Sequence, residues 1–174
     1  ESSDSLFANL LGLPAWESDQ ILMFGRLVTT ARKVAWVGDP ECMYTYSGVQ
    51  KIPQAWTDEL LQMKHKLEQF TGHTYNSCLL NLYHSGAEGM GWHSDNESEL
   101  DSATPIASVS LGARRKFAFR HKQNKTTNSL FLEHGSLLIM HAPIQEYWQH
   151  SLLKTKTVTS PRINLTFRKI LPRI

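Results

Sequence analysis

The segment Arg162-Ile163-Asn164-Leu165-Thr166-Phe167-Arg168 alternates polar with apolar side chains at every step. Strict alternation is typical of a β-strand whose two faces have different surroundings. The polar face carries two guanidinium groups and two neutral hydrogen-bonding side chains. Such a set can bind a small dicarboxylate, because each guanidinium offers a carboxylate two parallel donors. An amphipathic strand with its charges in water is the alternative explanation.

Short runs of branched and aromatic residues, separated by turn-forming residues, fill the chain from Asn76 onward. The predicted strands are Cys78–Tyr83, Ile106–Leu111, Lys116–Arg120, Ser136–Met140, Tyr147–Ser151 and Arg162–Ile170. So many strands within about a hundred residues predict an antiparallel sandwich or a jelly roll.

The N-terminal part contains the clearest helix. It is predicted from Asp58 to Thr71, because Thr57 can cap it, apolar residues recur at helical spacing and Gly72 can end it. The remaining predictions are a short helix over Ser5–Leu11 and two strands, Ile21–Phe24 and Leu27–Val34, joined at Gly25. For runs this short the choice between helix and strand stays open.

The composition predicts a soluble globular protein. Of the 174 residues 41% are hydrophobic, and no apolar run approaches the roughly 18 residues that span a bilayer. Cys42 and Cys78 are expected to be free thiols in a reducing compartment, which indicates an intracellular protein, nuclear in a eukaryote or cytoplasmic in a bacterium. The net charge of +2 does not by itself indicate nucleic-acid binding, although basic residues crowd Arg114–Lys125.

A metal site is suggested by His93-Ser94-Asp95, in which an imidazole and a carboxylate would share one face of an extended strand. Two histidines and one carboxylate on one side of a metal suit Fe(II) and leave positions open for a cosubstrate and oxygen. The candidates for the second histidine are His121, His134, His141 and His150. The last of these lies in an aromatic, strand-like run, where alternation allows it to point inward.

These motifs, taken in order, strongly resemble the AlkB family of nucleic-acid dealkylating dioxygenases. The matching features run from about Phe24 to Ile170 and are Asn81-Leu82-Tyr83, His93-Ser94-Asp95, the segment from Pro105 to Gly112, His150 and Arg162–Arg168. The resemblance implies a mainly β fold with flanking helices (α+β), whose core is a double-stranded β-helix, or jelly roll. It implies one domain over residues 1–174, with a nucleotide-recognition extension and support helix in 1–75 and the core in 76–170.

The resemblance also implies a role for each residue of the suspected pocket. The Fe(II) ligands would be His93, Asp95 and His150. Arg162 would bind the distal carboxylate of 2-oxoglutarate with Tyr83 and Asn164, Arg168 and Asn81 would hold the carboxylate nearer the metal, and Thr166 would line the pocket. The implied reaction uses O2 and 2-oxoglutarate to hydroxylate an N-alkyl carbon on bases such as 1-methyladenine and 3-methylcytosine, and it releases succinate, CO2 and formaldehyde.

On the substrate side, the resemblance implies that Tyr44 and Tyr46 line the lesion pocket. The flipped base would stack between Tyr46 and the ring of His93, and stacking of this kind offsets about 1–3 kcal/mol per base. Glu97 would recognise the cationic lesion. The alternative is that the two tyrosines are half-buried strand aromatics.

Contacts with the nucleic acid are implied at two further places. Phe24, with Arg32, would form a hydrophobic finger that fills the gap left by a base flipped from duplex DNA, unless Phe24 is simply a core residue. The basic stretch Arg114–Lys125 would bind phosphates, unless it is only a solvated charged face.

The expected partner is alkylated DNA, single- or double-stranded, or RNA, and the chain is expected to be a monomer. Two other functions stay open at this stage. One keeps the iron chemistry and moves it to RNA or to a substrate that is not a nucleic acid, because a fold does not fix a function. The other is a non-catalytic β-barrel that binds metal or nucleic acid.

Overall fold

The structure is a computed structural model that describes residues 2–13, 15–23, 25–46 and 49–171, leaving the side chains of 21–23, 44–46 and 49–51 out of the description. Its helices are α1 (Ser3–Leu11), α2 (Asp58–Thr71) and the single turn α3 (Ile144–Tyr147). Its strands are β1 (Glu17–Met23), β2 (Arg26–Gly38), β3 (Tyr44–Tyr46), β4 (Val49–Lys51), β5 (Ser77–Tyr83), β6 (Met90–His93), β7 (Ile106–Gly112), β8 (Arg115–His121), β9 (Thr127–Leu132), β10 (Ser136–Met140), β11 (Trp148–Leu152) and β12 (Arg162–Arg168).

The strands form two main antiparallel sheets and a small hairpin. The first sheet has the order β1-β2-β5-β12-β7-β10, the second has the order β6-β11-β8-β9, and β3 pairs with β4. The mainly β, jelly-roll fold expected from the sequence is therefore confirmed. The first sheet contains strands from both the N-terminal and the C-terminal parts of the chain.

Strand β12 lies at the centre of the first sheet, between β5 and β7. In this register Arg162 stands opposite Tyr83 and Asn164 stands opposite Asn81. On the other side Asn164 pairs with Ser110 and Thr166 pairs with Ser108. Side chains directly opposite one another share a face of the sheet, so the polar face of β12 continues onto both neighbours.

Helix α2 has the bounds that the sequence predicts. The backbone N–H of Leu60 donates to Oγ1 of Thr57 at 3.4 Å, and Gly72 ends the helix in the left-handed region at φ 72°. Leu60 and Leu67 belong to the core, which stabilises the fold by about 1.5–3 kcal/mol for each side chain fully removed from water. Phe70, which continues the apolar spacing, is 74% exposed, so the apolar stripe is longer than the buried face of the helix.

Strand boundaries differ from the sequence predictions at several points. Strand β11 begins at Trp148, not Tyr147, because the preceding residues form the helical turn α3. Strands β6 and β9 were not predicted: β6 is short and irregular in sequence, and β9 is exposed at every position except Leu132, so neither shows alternating burial. Strand β2 extends to Gly38 because its second half pairs with β5.

Both cysteines are buried and unpaired, as expected. In the described part of the chain, no helix is long and apolar enough to cross a membrane.

Candidate active site

The polar face of β12 forms the floor of the candidate active site. Arg162 is 2% exposed; its Nη2 donates to Oγ of Ser110 at 2.8 Å, and its guanidinium lies 5.7 Å from the ring of Tyr83. Asn164 donates to Oγ of Ser108 at 2.8 Å and accepts from Oγ1 of Thr166 at 2.9 Å. The structure thus brings together the side chains expected to bind 2-oxoglutarate.

Two serines of β7 belong to this pocket and were not assigned from the sequence. Ser108 and Ser110 alternate with Ala107, Val109 and Leu111, which places both hydroxyl groups on one face of a strand whose other positions are apolar. The alternation was present in the sequence. Only the pairing of β7 with β12, which alternation does not specify, reveals that the hydroxyl groups face Arg162 and Asn164.

The pocket is built to receive an anion. Burial lowers the pKa of Arg162 to about 10, so the guanidinium is still charged at neutral pH. Within the described residues, four buried arginine Nε atoms have no hydrogen-bond partner, and two of them, those of Arg162 and Arg168, belong to the polar face of β12. Buried donors without partners are rare in proteins, and an anionic ligand with two carboxylates would supply the missing acceptors. The residues present therefore fit 2-oxoglutarate.

His93, Asp95 and His150 converge at one end of this pocket. Their potential ligand atoms all lie within 4.8 Å of one another, and no other group of three such residues occurs in the part of the chain that the structure describes. Nε2 of His93 is 4.0 Å from Oδ1 of Asp95, and Nε2 of His150 is 3.7 Å from its Oδ2. Two imidazoles and one carboxylate on one side of a common point form the donor set that suits Fe(II).

The surroundings prepare both histidines to bind a metal. Nδ1 of His93 lies 2.8 Å from the carbonyl oxygen of Gly91, so a proton on Nδ1 leaves Nε2 as the lone-pair donor. Burial, more than any other cause, lowers the pKa of His150 to about 4, and its imidazole is therefore neutral at pH 7. The ring of Phe117 stacks on that of His150 at 5.4 Å between centroids.

The metal site differs in one respect from the sequence expectation. Strand β6 ends at His93, so Asp95 does not lie on the same strand but in the segment that follows it. Asp95 is held there by contacts from other elements: Nη2 of Arg168 donates to its Oδ1 at 2.8 Å, and its backbone N–H donates to Oε1 of Gln145 at 3.0 Å. Arg168 thereby joins the metal end of the site to the polar face of β12.

The basic residues of the stretch Arg114–Lys125 do not all lie on the surface. Arg115 is 1% exposed and donates to the carbonyl oxygens of Ser85, Glu88 and Leu153 at 3.1, 2.7 and 2.9 Å, so its expected contact with phosphate is wrong. It shares a strand face with Phe117 and Phe119, a signal in the sequence that indicates burial. Lys116 and Lys125 are exposed.

Arg32 is placed beside the pocket and not on the surface. It is 6% exposed, pairs with Asp19 of β1 and donates to Oδ1 of Asn81. The structure therefore favours a role for Arg32 in supporting Asn81 over contact with nucleic acid. Sequence reasoning missed Asp19, because nothing local to β1 indicates its partner.

Replacing Arg32 with Met removes the guanidinium that donates to Oδ1 of Asn81 and that pairs with the carboxylate of Asp19. We expect the free energy of unfolding to fall by about 1–3 kcal/mol and the Kd for 2-oxoglutarate to rise. Denaturant unfolding and calorimetric titration measure the two effects. Lys33→Met is the matched control, because among the described residues Nζ of Lys33 makes an exposed hydrogen bond to Oγ of Ser18 at 2.9 Å, away from Asn81 and Asp19. Equal effects of the two substitutions would contradict this role for Arg32.

The remaining substrate-side residues are only partly described. Phe24 lies outside the described residues, and so do the side chains of Tyr44 and Tyr46, whose backbone forms β3. Glu97 is exposed and lies two residues after Asp95. The lesion pocket and the hydrophobic finger therefore stay predictions.

A jelly roll that carries two histidines, a carboxylate and an arginine-lined anion pocket defines an iron- and 2-oxoglutarate-dependent oxygenase. The chain belongs to the 2OG-Fe(II) oxygenase superfamily, whose family model matches residues 1–168. This membership and the relatives below confirm the predicted cofactors, Fe(II) and 2-oxoglutarate, and the resemblance to the AlkB family.

Named relatives make the similarity more specific. The chain is 42% identical over 161 residues to the DNA oxidative demethylase ALKBH2 of Mus musculus, covering 88% of this chain and 67% of that protein. It is 42% identical over 160 residues to ALKBH2 of Homo sapiens, covering 87% of this chain and 61% of that protein. It is 37% identical over 182 residues to the alpha-ketoglutarate-dependent dioxygenase alkB homolog 3 of Bos taurus, covering 99% of this chain and 63% of that protein. The chain thus spans about two thirds or less of the length of these relatives.

The fold also occurs in a solved structure. The structure of OsALKBH1 superimposes with a TM-score of 0.62 at 15% identity and covers 96% of this chain and 90% of that chain.

Proposed function

We propose that this chain catalyses the oxidative demethylation of N-alkylated bases, such as 1-methyladenine and 3-methylcytosine, in DNA. The observation that carries the proposal is the direct link between the two halves of the site, in which Arg168 of the anion pocket donates to the carboxylate of Asp95 at 2.8 Å. The similarity to proteins named DNA oxidative demethylases supports DNA as the substrate.

The residues of the chain divide the work of binding and orientation. His93, Asp95 and His150 would hold Fe(II), which together with 2-oxoglutarate and O2 supplies the oxidant for the alkyl carbon. Arg162, Tyr83 and Asn164 would bind the distal carboxylate of 2-oxoglutarate, and Arg168, Asn81 and Thr166 would hold its other end. Because Arg162 and Tyr83 are almost fully buried, this end of the cosubstrate would be shielded from water.

The substrate would enter from the side of His93. The side chain of His93 is 37% exposed, whereas that of His150 is 6% exposed, so His93 is the ligand whose ring a flipped base can reach. Tyr46 is proposed as the ring on the other face of that base, with Tyr44 beside it, and the exposed Glu97 as the acid that recognises the positive charge. Phe24 is proposed as the finger that fills the gap in the duplex.

The choice of substrate is tested by measuring formaldehyde from oligonucleotides of one sequence with 1-methyladenine in duplex DNA, single-stranded DNA or RNA. We expect turnover on DNA. Turnover on RNA alone would contradict DNA as the substrate but would agree with the proposed iron chemistry.

The proposed finger is tested by Phe24→Ala. This variant should lower turnover on duplex DNA more than on single-stranded DNA, and an equal loss on both would contradict the finger.

Lys116, the exposed lysine of β8, is proposed as a phosphate contact. The Lys116→Met variant should reduce the slope of log K against log salt concentration by about 1 for undamaged duplex DNA, because one phosphate contact is lost. Fluorescence anisotropy titrations at several salt concentrations measure the slope. Lys66→Met, which removes an exposed lysine from α2, should leave it unchanged. Identical slopes for both variants and the unsubstituted protein would remove Lys116 from the interface.

We further propose that the protein is an intracellular monomer, nuclear in a eukaryote or cytoplasmic in a bacterium. The buried, unpaired Cys42 and Cys78 are compatible with a reducing compartment. Size-exclusion chromatography with light scattering and imaging of the tagged protein test the two statements.

A further inference from the structure

The side chain of Gln145 lies against the segment that carries the metal ligand Asp95. Its Oε1 accepts from the backbone N–H of Asp95 at 3.0 Å, and its Nε2 donates to Sδ of Met140 at 3.6 Å. Both ends of the amide are therefore engaged, and the side chain is held in one orientation. Gln145 belongs to α3, the turn that leads directly into β11 and His150.

Asp95 depends on such a contact because it lies outside the sheet. Strand β6 ends at His93, so no ladder hydrogen bond fixes the backbone of Asp95. Its carboxylate is bound by Arg168, and its backbone is bound by Gln145. A metal ligand in a loop needs its backbone fixed if its carboxylate is to be in place before the ion arrives, and loss of such supporting contacts commonly costs metal affinity.

The same turn is tied to the hairpin of β8 and β9. Nζ of Lys122 donates to the carbonyl oxygen of Gln145 at 2.8 Å, and the backbone N–H of Lys122 donates to the carbonyl oxygen of Tyr147 at 2.8 Å. The rings of His121 and Tyr147 stack at 6.5 Å with an angle of 6° between their planes. A continuous chain of contacts therefore runs from the hairpin through Lys122 and Gln145 to Asp95.

We infer that Gln145 is a positioning residue of the iron site and that, through Lys122, it links this site to the β8–β9 hairpin, part of which is proposed to bind phosphate. The inference rests on the metal triad of the proposed function. It requires neither DNA nor turnover, because it concerns the affinity of the triad for a divalent ion.

The test compares Gln145→Met, which keeps the length of the side chain and removes the acceptor, with Gln145→Glu, which keeps an acceptor oxygen. Affinity for Mn(II) is measured by calorimetry on the full chain with 2-oxoglutarate and without nucleic acid. Gln145→Met should bind Mn(II) about 10- to 100-fold more weakly. Gln145→Glu keeps an oxygen that can accept from the backbone N–H of Asp95 and should recover most of the affinity. Gln62→Met, an exposed glutamine of α2, is the matched control and should bind as the unsubstituted protein does.

Unchanged affinity of Gln145→Met would overturn the inference. So would a loss that Gln145→Glu does not recover, because packing and not the acceptor would then be responsible. Thermal unfolding of the metal-free variants shows whether each is folded at the temperature of the titration. An unsubstituted protein that binds Mn(II) but releases no formaldehyde would contradict the proposed function and leave the inference intact.

The link to the hairpin has its own test. Lys122→Met should weaken Mn(II) binding less than Gln145→Met does, and the double variant should bind no more weakly than Gln145→Met alone, since both substitutions act on one chain of contacts. Unchanged Mn(II) affinity in Lys122→Met, or strictly additive effects, would overturn the link.

Discussion

His150→Ala will fail to hold Fe(II) and will release no formaldehyde from methylated DNA. His150 is the more deeply buried of the two imidazoles of the triad, and burial lowers its pKa to about 4, so the ring is neutral and offers a lone pair to a metal at physiological pH. The loss of metal affinity should exceed the roughly 10- to 100-fold that removal of an outer supporting contact costs. Calorimetric titration with Mn(II) and a formaldehyde assay measure the two effects.

His141→Ala is the matched control for this substitution. His141 is an exposed histidine just before α3 and lies outside the triad, so its loss should leave both metal affinity and turnover close to those of the unsubstituted protein. Retention of tight metal binding by His150→Ala would show that the triad has been misassigned.

Arg162→Met will raise the Kd for 2-oxoglutarate by roughly 30-fold to a thousand-fold or more. Removing one partner of a buried, hydrogen-bonded charge pair costs about 2–5 kcal/mol of binding free energy, and each 1.4 kcal/mol is tenfold in affinity. Stability of the ligand-free protein should not fall in parallel, because the substitution also removes a buried cation whose Nε has no partner among the described residues. Binding of 2-oxoglutarate to the Mn(II) form and denaturant unfolding separate the two quantities.

Two further variants test whether the guanidinium of Arg162 is responsible for the loss. Arg162→Lys keeps the charge but offers no planar two-pronged donor, so it should recover only part of the affinity. Arg114→Met removes an exposed arginine that pairs with Glu133 on the surface, and should leave 2-oxoglutarate binding unchanged. If Arg162→Met bound 2-oxoglutarate as Arg114→Met does, the distal carboxylate would have to lie elsewhere.

The sequence predicts the fold well where local patterns and final burial agree. Helix α2 has its cap, its apolar stripe and its terminal glycine within one segment, so its bounds could be predicted to the residue. The alternation of strand β12 is also local and already distinguishes the pocket face from the core face, although the strand ends at Arg168 and not at the predicted Ile170. Strands β6 and β9 could not be predicted, since their place in the sheet is decided by the partners β11 and β8 and not by their own pattern.

The residues of the site also divide into those that a local pattern indicates and those whose role depends on partners distant in the chain. His93 and Asp95 and the polar residues of β12 lie in local patterns, whereas His150 was singled out among four candidate histidines only by the resemblance to the AlkB family, and the structure brings it to His93 and Asp95. Arg115 and Arg32 were assigned to the nucleic acid, since sequence alone does not show that one guanidinium binds carbonyl oxygens and that the other lies between Asp19 and Asn81. Ser110 and Gln145 acquire their roles only through strands and turns distant in the chain.

The most direct measurement is the release of formaldehyde from duplex DNA that contains 1-methyladenine, in the presence of Fe(II), 2-oxoglutarate, ascorbate and air. Formaldehyde and succinate should appear in equal amounts, should require both Fe(II) and 2-oxoglutarate, and should be absent with His93→Ala. No formaldehyde from any methylated DNA or RNA, or formaldehyde that persists with His93→Ala, would contradict an iron-dependent demethylase built on His93, Asp95 and His150.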